Sequence, residues 1–190
     1  MPLLGIIFVF KTHAIYRIIY PNDFGNLLIL LASILTLIFP FISIYVLYRS
    51  GMVSDLSLSN RKERLLPSAI TVAYYLGFYY FMRRIEGLDE PILAGYFGGC
   101  LALIVSIFIT SKWKISLHTQ GISSLAGMVI GVTQITFVSH TAVILVLLAC
   151  IGLVGTSRLI LGKHTALQVY AGGLVGFIIP YLFTINEWAI

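Results

Sequence analysis

Residues 91–111 read PILAGYFGGCLALIVSIFITS, a run of 21 residues that contains no charged side chain. A transmembrane helix needs about 20 predominantly apolar residues, so this run is long enough to cross a bilayer. Backbone inside hydrocarbon must satisfy its own hydrogen bonds, and the run lacks the period-two alternation of a barrel strand. The stretch therefore predicts a membrane-spanning α-helix.

The rest of the chain has the same character. Of its 190 residues, 59% are hydrophobic and 10% are charged, whereas soluble domains have about 25% charged residues. So few charges exclude a soluble globular domain, a disordered chain and a disulfide-stapled secreted domain. Lys11 and His13 interrupt the first apolar stretch, so we expect an all-α integral membrane bundle of six or seven transmembrane helices, formed by residues 1–190 as one domain. The apolar stretches are 3–20, 26–48, 67–83, 91–111, 119–138, 140–156 and 165–185.

Two of these stretches carry glycines four residues apart. Gly127 and Gly131 lie in the fifth stretch, and Gly172 and Gly176 lie in the seventh. Small residues at this spacing let membrane helices approach each other closely. We therefore expect the fifth and seventh helices to lie in the interior of the bundle.

Basic residues concentrate on one side of the predicted membrane. Segments 49–66, 112–118 and 157–164 are separated from one another by two helices each, so all three lie on one face. That face carries eight basic and two acidic residues, while the opposite face carries three basic and five acidic residues. The positive-inside rule would make the basic face cytoplasmic.

The basic segments also have the composition of an anion site. By the same parity, helices that begin near Pro67, Thr119 and Thr165 present their N-termini to this face, where unpaired N–H groups favour an anion. Cations, hydroxyl groups and two histidines surround these ends and together predict a phosphate site; they include Lys114, Ser116, His118, Ser157, Arg158, Lys163 and His164. The isolated histidines, His13 and His140, predict packing or headgroup contacts instead.

The spacing within these segments resembles that of a known family. Residues 157–164, SRLILGKH, resemble the third signature of the type 2 phosphatidic acid phosphatase superfamily, S-R-x5-H-x3-D. Residues 115–118, ISLH, resemble its second signature, P-S-G-H, and residues 61–67, RKERLLP, resemble a degenerate form of the first, K-x6-R-P. The resemblance covers roughly residues 60–185.

This resemblance implies a role for each site residue. His164 would be the nucleophile that attacks phosphorus and forms a phosphohistidine, and His118 would protonate the leaving alkoxide. The phosphate oxygens would be held by Arg158, Ser157, Ser116, Arg64, Lys62, Arg61 and Lys114. No metal or other cofactor is expected. The expected partners are a lipid phosphate or diphosphate and membrane lipid, and not nucleic acid.

The chain departs from the superfamily pattern in two signatures. Gln168 stands where the third signature has Asp, and at position i+4 it still lies beside His164 on a helix. Its carbonyl can accept the Nδ1–H bond, but it does not stabilise an imidazolium as a carboxylate does. In the first signature, Leu66 and Ser59 occupy the Arg and Lys positions. Three neighbouring cations are candidates to substitute for them: Arg64, Lys62 and Arg61.

Two functions are open on these observations. The first is a membrane phosphatase that hydrolyses a lipid phosphate or diphosphate, and both retained histidines favour it. The second is a catalytically silent phospholipid-binding or lipid-transport protein of the same fold, which Gln168 favours. Either would lie in a bacterial cytoplasmic membrane. The charge bias places the basic face inside, whereas bacterial relatives commonly have the site outside, so both orientations stay open.

Overall fold

The residues that the structure describes form helices joined by turns and short loops. The computed structural model describes residues 2–12, 20, 22–56, 58 and 60–189, and these contain no strand. In chain order, the helices are α1 (Pro2–Thr12), α2 (Asn22–Ser33, a π-helical turn Ile34–Ile38, and Phe39–Arg49), α3 (Leu65–Met82, preceded by a 3₁₀ turn Lys62–Arg64), α4 (Glu90–Lys112), α5 (Leu117–Thr136), α6 (Thr141–Ile160) and α7 (Ala166–Ile185). The predicted all-α bundle is confirmed.

Five of the described helices are long and apolar enough to cross a membrane. They are α2, α3 with its 3₁₀ turn, α4, α6 and α7. Their outward faces expose large apolar side chains such as Phe41, Phe108 and Leu153, which is the surface that contact with lipid tails requires. The chain is therefore a multi-pass membrane protein.

Helix α5 occupies the interior of the bundle. Eleven of its 20 residues are buried, and it contacts α1, α4, α6 and α7. The expectation that the fifth helix is interior is therefore confirmed, but the same expectation for the seventh is wrong. Helix α7 exposes Tyr170 and Leu174 and buries one narrow stripe, Val169, Gly172, Gly176, Pro180 and Thr184. Small residues mark a close approach on one face, and they carry no information about the opposite face.

Glycines set the distance between α5 and α7. An added Cβ would collide with a facing helix at each of the predicted positions, Gly127, Gly131, Gly172 and Gly176. At Gly172 this atom would lie 2.5 Å from the carbonyl oxygen of Ser116. Beside that contact, the backbone N–H of Ser116 donates to the carbonyl oxygen of Gln168 at 3.2 Å. The N-terminal ends of the two helices are thereby held together.

Gly172→Ala is expected to lower the thermal stability of the protein, although alanine is the better helix former by about 1 kcal/mol. The new Cβ must push the α5 backbone away at Ser116, and overpacking costs about 1–3 kcal/mol. Gly173→Ala is the matched control, because its Cβ would meet only Ser123 Oγ at 3.6 Å and Thr119 Cγ2 at 3.8 Å. Thermal unfolding in detergent compares them, and equal midpoints would contradict the packing argument.

The predicted end of the sixth helix is corrected by the structure. Helix α6 continues to Ile160, so Ser157 and Arg158 lie in its last turns rather than in a loop. A basic residue there interacts favourably with the helix dipole, which extends the helix beyond its apolar run. His13 and Ser59 lie outside the described residues, and the first stretch, 3–20, is described as a helix only over Pro2–Thr12.

Candidate functional site

The three basic segments meet at one end of the bundle. Residues 113–116 connect α4 to α5, and residues 161–165 connect α6 to α7. The backbone hydrogen bond from Ser116 to Gln168 joins these two connections. The segment before α3 joins them through Arg64, whose positive charge acts on both Lys114 and His164.

His164 is held in one orientation by Gln168. The histidine is 8% exposed and directly precedes the N-cap residue of α7, and its Nδ1 lies 3.2 Å from Gln168 Oε1. The same oxygen accepts the backbone N–H of Thr165 at 3.2 Å. Because that N–H needs an acceptor, the Thr165 contact places the amide oxygen, rather than the amide nitrogen, at this position. Nδ1 therefore donates to Gln168, and the lone pair of the neutral ring is on Nε2.

Burial and neighbouring cations keep His164 neutral. Burial lowers its pKa, and the positive charges of Arg64 and Lys114 lower it further, while the hydrogen bond with Gln168 has the opposite effect. The resulting pKa is about 4. At neutral pH the ring is therefore an uncharged nucleophile or hydrogen-bond acceptor at Nε2.

The pKa of His164 predicts how the protein responds to acid. The folded value is about 4, against about 6.5 in an unfolded chain, so the unfolded state takes up the proton first as the pH falls. This contribution to stability is complete above about pH 6.5 and is lost as the pH falls toward 4. Arg64→Gln should raise the pKa of His164 by removing a positive charge, whereas Lys62→Gln, at an exposed neighbour, should not. A histidine NMR titration measures both, and a wild-type midpoint near 6.5 would contradict the prediction.

His118 lies close enough to His164 to affect its pKa, and Arg158 lies close to His118. His118 is exposed in the first turn of α5, where the charges of Arg158 and Arg64 act on it. Arg158 is half-buried at the end of α6, and its buried Nε has no hydrogen-bond partner. Leaving a charged donor buried without an acceptor is unfavourable. An anion bound beside Arg158 would supply the acceptor.

Positively charged side chains lie close together at this end of the bundle, which we call the basic end. Lys114 is half-buried in the connection before α5. Burial lowers its pKa, and the charges of Arg64 and Lys163 lower it further. Cations gathered in this way repel each other, and a bound anion would relieve the repulsion.

The three candidate cations in the first segment differ in burial, and Arg64 is the one whose side chain is buried. Arg64 is buried, whereas Arg61 is half-buried and Lys62 is exposed. Arg64 Nε donates to the carbonyl oxygen of Leu58 at 2.6 Å. The loop that presents it is closed by Glu63, which accepts hydrogen bonds from Ser54 N, Ser54 Oγ and Asn60 Nδ2 at 2.7–2.8 Å. Sequence reasoning missed Glu63, because a lone acid among cations gives no sign of which loop groups it will contact.

The two predicted serines have structural partners. Ser116 is 0% exposed and is the N-cap of α5, where its Oγ accepts the Thr119 N–H and lies 2.8 Å from the Thr119 hydroxyl. Ser116 is therefore a helix cap and not a phosphate contact, which corrects its predicted role. The Ser157 hydroxyl donates to the Val154 carbonyl oxygen at 2.8 Å.

Gln168 also has a structural role, in capping α7, that sequence reasoning missed. Thr165 Oγ1 accepts the backbone N–H of Gln168, which together with the reciprocal Thr165-to-Gln168 bond forms a capping box at the start of α7. The signal was present in the sequence, because residues 165–168 read TALQ and so match the Ser/Thr-x-x-Glu/Gln pattern. The capping box fixes the side chain that orients His164.

His140 packs at the other end of α5. Its Nδ1 lies 3.1 Å from Thr133 Oγ1, and its ring meets the Phe8 ring edge-on at 4.9 Å. This agrees with the packing role predicted for it. Among the described residues, no group of three His, Cys, Asp or Glu side chains is placed to hold a metal ion.

Comparisons with protein-family models, with curated proteins and with solved structures gave no match to this chain. Membership of the phosphatase superfamily stays a prediction.

Proposed function

We propose that the protein is a membrane phosphatase that hydrolyses a lipid phosphate or diphosphate through a phosphohistidine at His164. The observation that carries the proposal is the orientation of this ring. Gln168 binds Nδ1 at 3.2 Å, so the lone pair lies on Nε2, in a ring that the surrounding cations keep neutral. A neutral imidazole among several cations is suited to attack phosphorus in an anionic substrate.

The proposed reaction has two steps. His164 Nε2 attacks phosphorus and forms the N–P bond, while the bond from phosphorus to the lipid oxygen breaks and His118 gives that oxygen a proton. Water then attacks the phosphohistidine, His118 takes a proton from the water, and the N–P bond breaks to release inorganic phosphate. Arg158, Arg64 and Lys114 would offset charge on the phosphoryl oxygens, which is the main requirement in phosphoryl transfer.

Gln168 supports a second candidate function, a catalytically silent phospholipid-binding or lipid-transport protein. Its amide carries no charge that could stabilise an imidazolium. It is also already engaged by the capping box with Thr165, a structural task that needs no catalysis. Such a protein would bind lipid phosphates at the basic end, in the bacterial cytoplasmic membrane, and release nothing.

Release of inorganic phosphate separates the two functions. Purified protein in detergent is offered a panel comprising phosphatidate, phosphatidylglycerophosphate, an isoprenyl diphosphate and a lipid A phosphate. We expect phosphate release from at least one lipid, and loss of that release in His164→Ala. His140→Ala is the matched control, because this histidine lies at the opposite end of α5. Equal release by wild type and His164→Ala would reject the phosphatase.

A further inference from the structure

A cavity of about 500 Å³ opens directly beneath His118. It lies between α1, α2, α3, α4 and α5, and Leu117 and His118 line its upper end. Met128 lines it ten residues further along α5, which at 1.5 Å per residue is about 15 Å deeper in the bundle. The cavity thus extends from the candidate phosphate site into the membrane interior.

The lining is mainly apolar and carries a few hydroxyl groups. Near His118 the walls include the hydroxyl residues Ser68 and Thr71, in the first two turns of α3. At the deep end they include Ile6, Ile92 and Met128. A mainly apolar cavity beneath His118 suits an amphiphile that places its polar group at His118 and its hydrocarbon below.

The cavity wall also reaches the outer surface of α2. Leu37 and Phe41 line the cavity and are 59% and 64% exposed, so they face the surrounding lipid as well. Helix α2 is irregular here, because its π-helical turn ends just before Pro40, which has no N–H to donate. Tyr75 Oη donates instead to the Thr36 carbonyl oxygen at 3.3 Å. Irregular turns of this kind are frequent at functional sites, and this one lies where the cavity wall meets the outer surface of the bundle.

We propose that this cavity binds one hydrocarbon chain of the lipid, and that Gly99 sets how much of the chain it holds. The placement of the lipid phosphate at His118 rests on the proposed function, whereas the placement of the hydrocarbon chain rests on the cavity alone. If a methylene fills about as much space as a water molecule, roughly 30 Å³, a cavity of 500 Å³ holds on the order of sixteen of them. A two-chain phospholipid must leave its second chain outside.

Gly99 is the position at which the capacity can be changed cleanly. It lines the cavity from α4, and a Cβ built on it meets no other atom within 4 Å. A larger side chain at this position therefore enters the cavity without pushing on the backbone. Leucine adds four carbon atoms at this position, which at roughly 30 Å³ each would remove space for about four methylenes. Gly152 on α6 is equally open but does not line the cavity, so Gly152→Leu is the matched control.

Photolabelling with hexadecyl phosphate that carries a diazirine at its terminal carbon tests the assignment. The whole 190-residue chain carrying His164→Ala is labelled, so that the probe is not consumed. We expect label on residues 92–100 of α4 or 125–128 of α5. Gly99→Leu should reduce this label by roughly tenfold, as steric changes in apolar pockets do, and Gly99→Ala should reduce it less. Gly152→Leu should leave it unchanged.

Label confined to lipid-facing residues such as Leu145 and Leu153 would overturn the assignment, as would equal deep labelling in Gly99→Leu. The phosphatase is tested separately by phosphate release from the wild type. Deep labelling without phosphate release would reject the phosphatase and keep the chain site. Phosphate release with surface labelling alone would keep the phosphatase and reject the hydrocarbon-chain site.

Discussion

His118→Asn is expected to lower hydrolysis of an alkyl phosphate by about 10²–10⁴-fold, the usual contribution of a general acid. An alkoxide is a poor leaving group and needs the proton that His118 would deliver. Asparagine keeps a similar shape and can donate a hydrogen bond, but it transfers no proton at neutral pH. In the first step, the transfer of the phosphoryl group to His164, the loss should therefore be much smaller for p-nitrophenyl phosphate, whose leaving group departs without protonation.

The comparison of the two substrates identifies the role of His118. The rate of the first step is measured for both substrates, as release of the leaving group within a single turnover, in wild type, His118→Asn and the control His140→Asn, and thermal unfolding checks that all three are folded. His140 contacts Thr133 and Phe8 away from the basic end, so its variant should keep both activities. An equal loss of the first-step rate on both substrates would mean that His118 binds the phosphate and does not act as the acid.

Gln168→Ala is expected to lower hydrolysis by about 10–100-fold, by analogy with the loss of groups that orient metal-binding histidines. The variant removes the acceptor 3.2 Å from His164 Nδ1, and the ring is then free to place its proton on Nε2. Gln168→Glu keeps the reach of the side chain and adds a negative charge that favours the imidazolium. It should retain or raise activity. Gln168→Asp should also retain or raise it, although its side chain is one methylene shorter.

Loss of the capping box must be separated from loss of the His164 contact. Thr165→Ala removes the hydroxyl that accepts the Gln168 N–H and leaves the His164 contact in place. It should lower the thermal midpoint, because an N-cap contributes about 1 kcal/mol, with little change in turnover. Histidine NMR reports the tautomer of His164 directly. An unchanged tautomer and turnover in Gln168→Ala would remove Gln168 from the site.

The helical fold could be predicted from the sequence. Charge-free runs long enough to span a membrane, without period-two alternation, satisfy their backbone hydrogen bonds as α-helices. The connections also followed from sequence, since polar segments such as 113–116 cannot lie in hydrocarbon. The position of α7 could not be predicted. Gly172 and Gly176 signal a close crossing, but the number of neighbours around a helix depends on how the others pack.

The candidate site, too, could be predicted only in part. The spacing of Arg158, His164 and Gln168 indicated which residues lie at one end of the bundle, because that spacing is local. It could not show that Ser116 is sealed beneath the α5–α7 crossing. Nor could it select Arg64, whose inward direction depends on the loop closed by Glu63. The cavity was equally hidden, since five different helices contribute to its wall.

The most direct test of the central claim is to trap the phosphorylated histidine. A lipid phosphate with a ³²P label, chosen from the lipids that release phosphate, is mixed with excess protein and quenched within one turnover. The account predicts label that is stable in alkali, labile in acid and confined to His164, and absent from His164→Ala. Phosphate release from wild type with no label on His164, or with label on another residue, would contradict it.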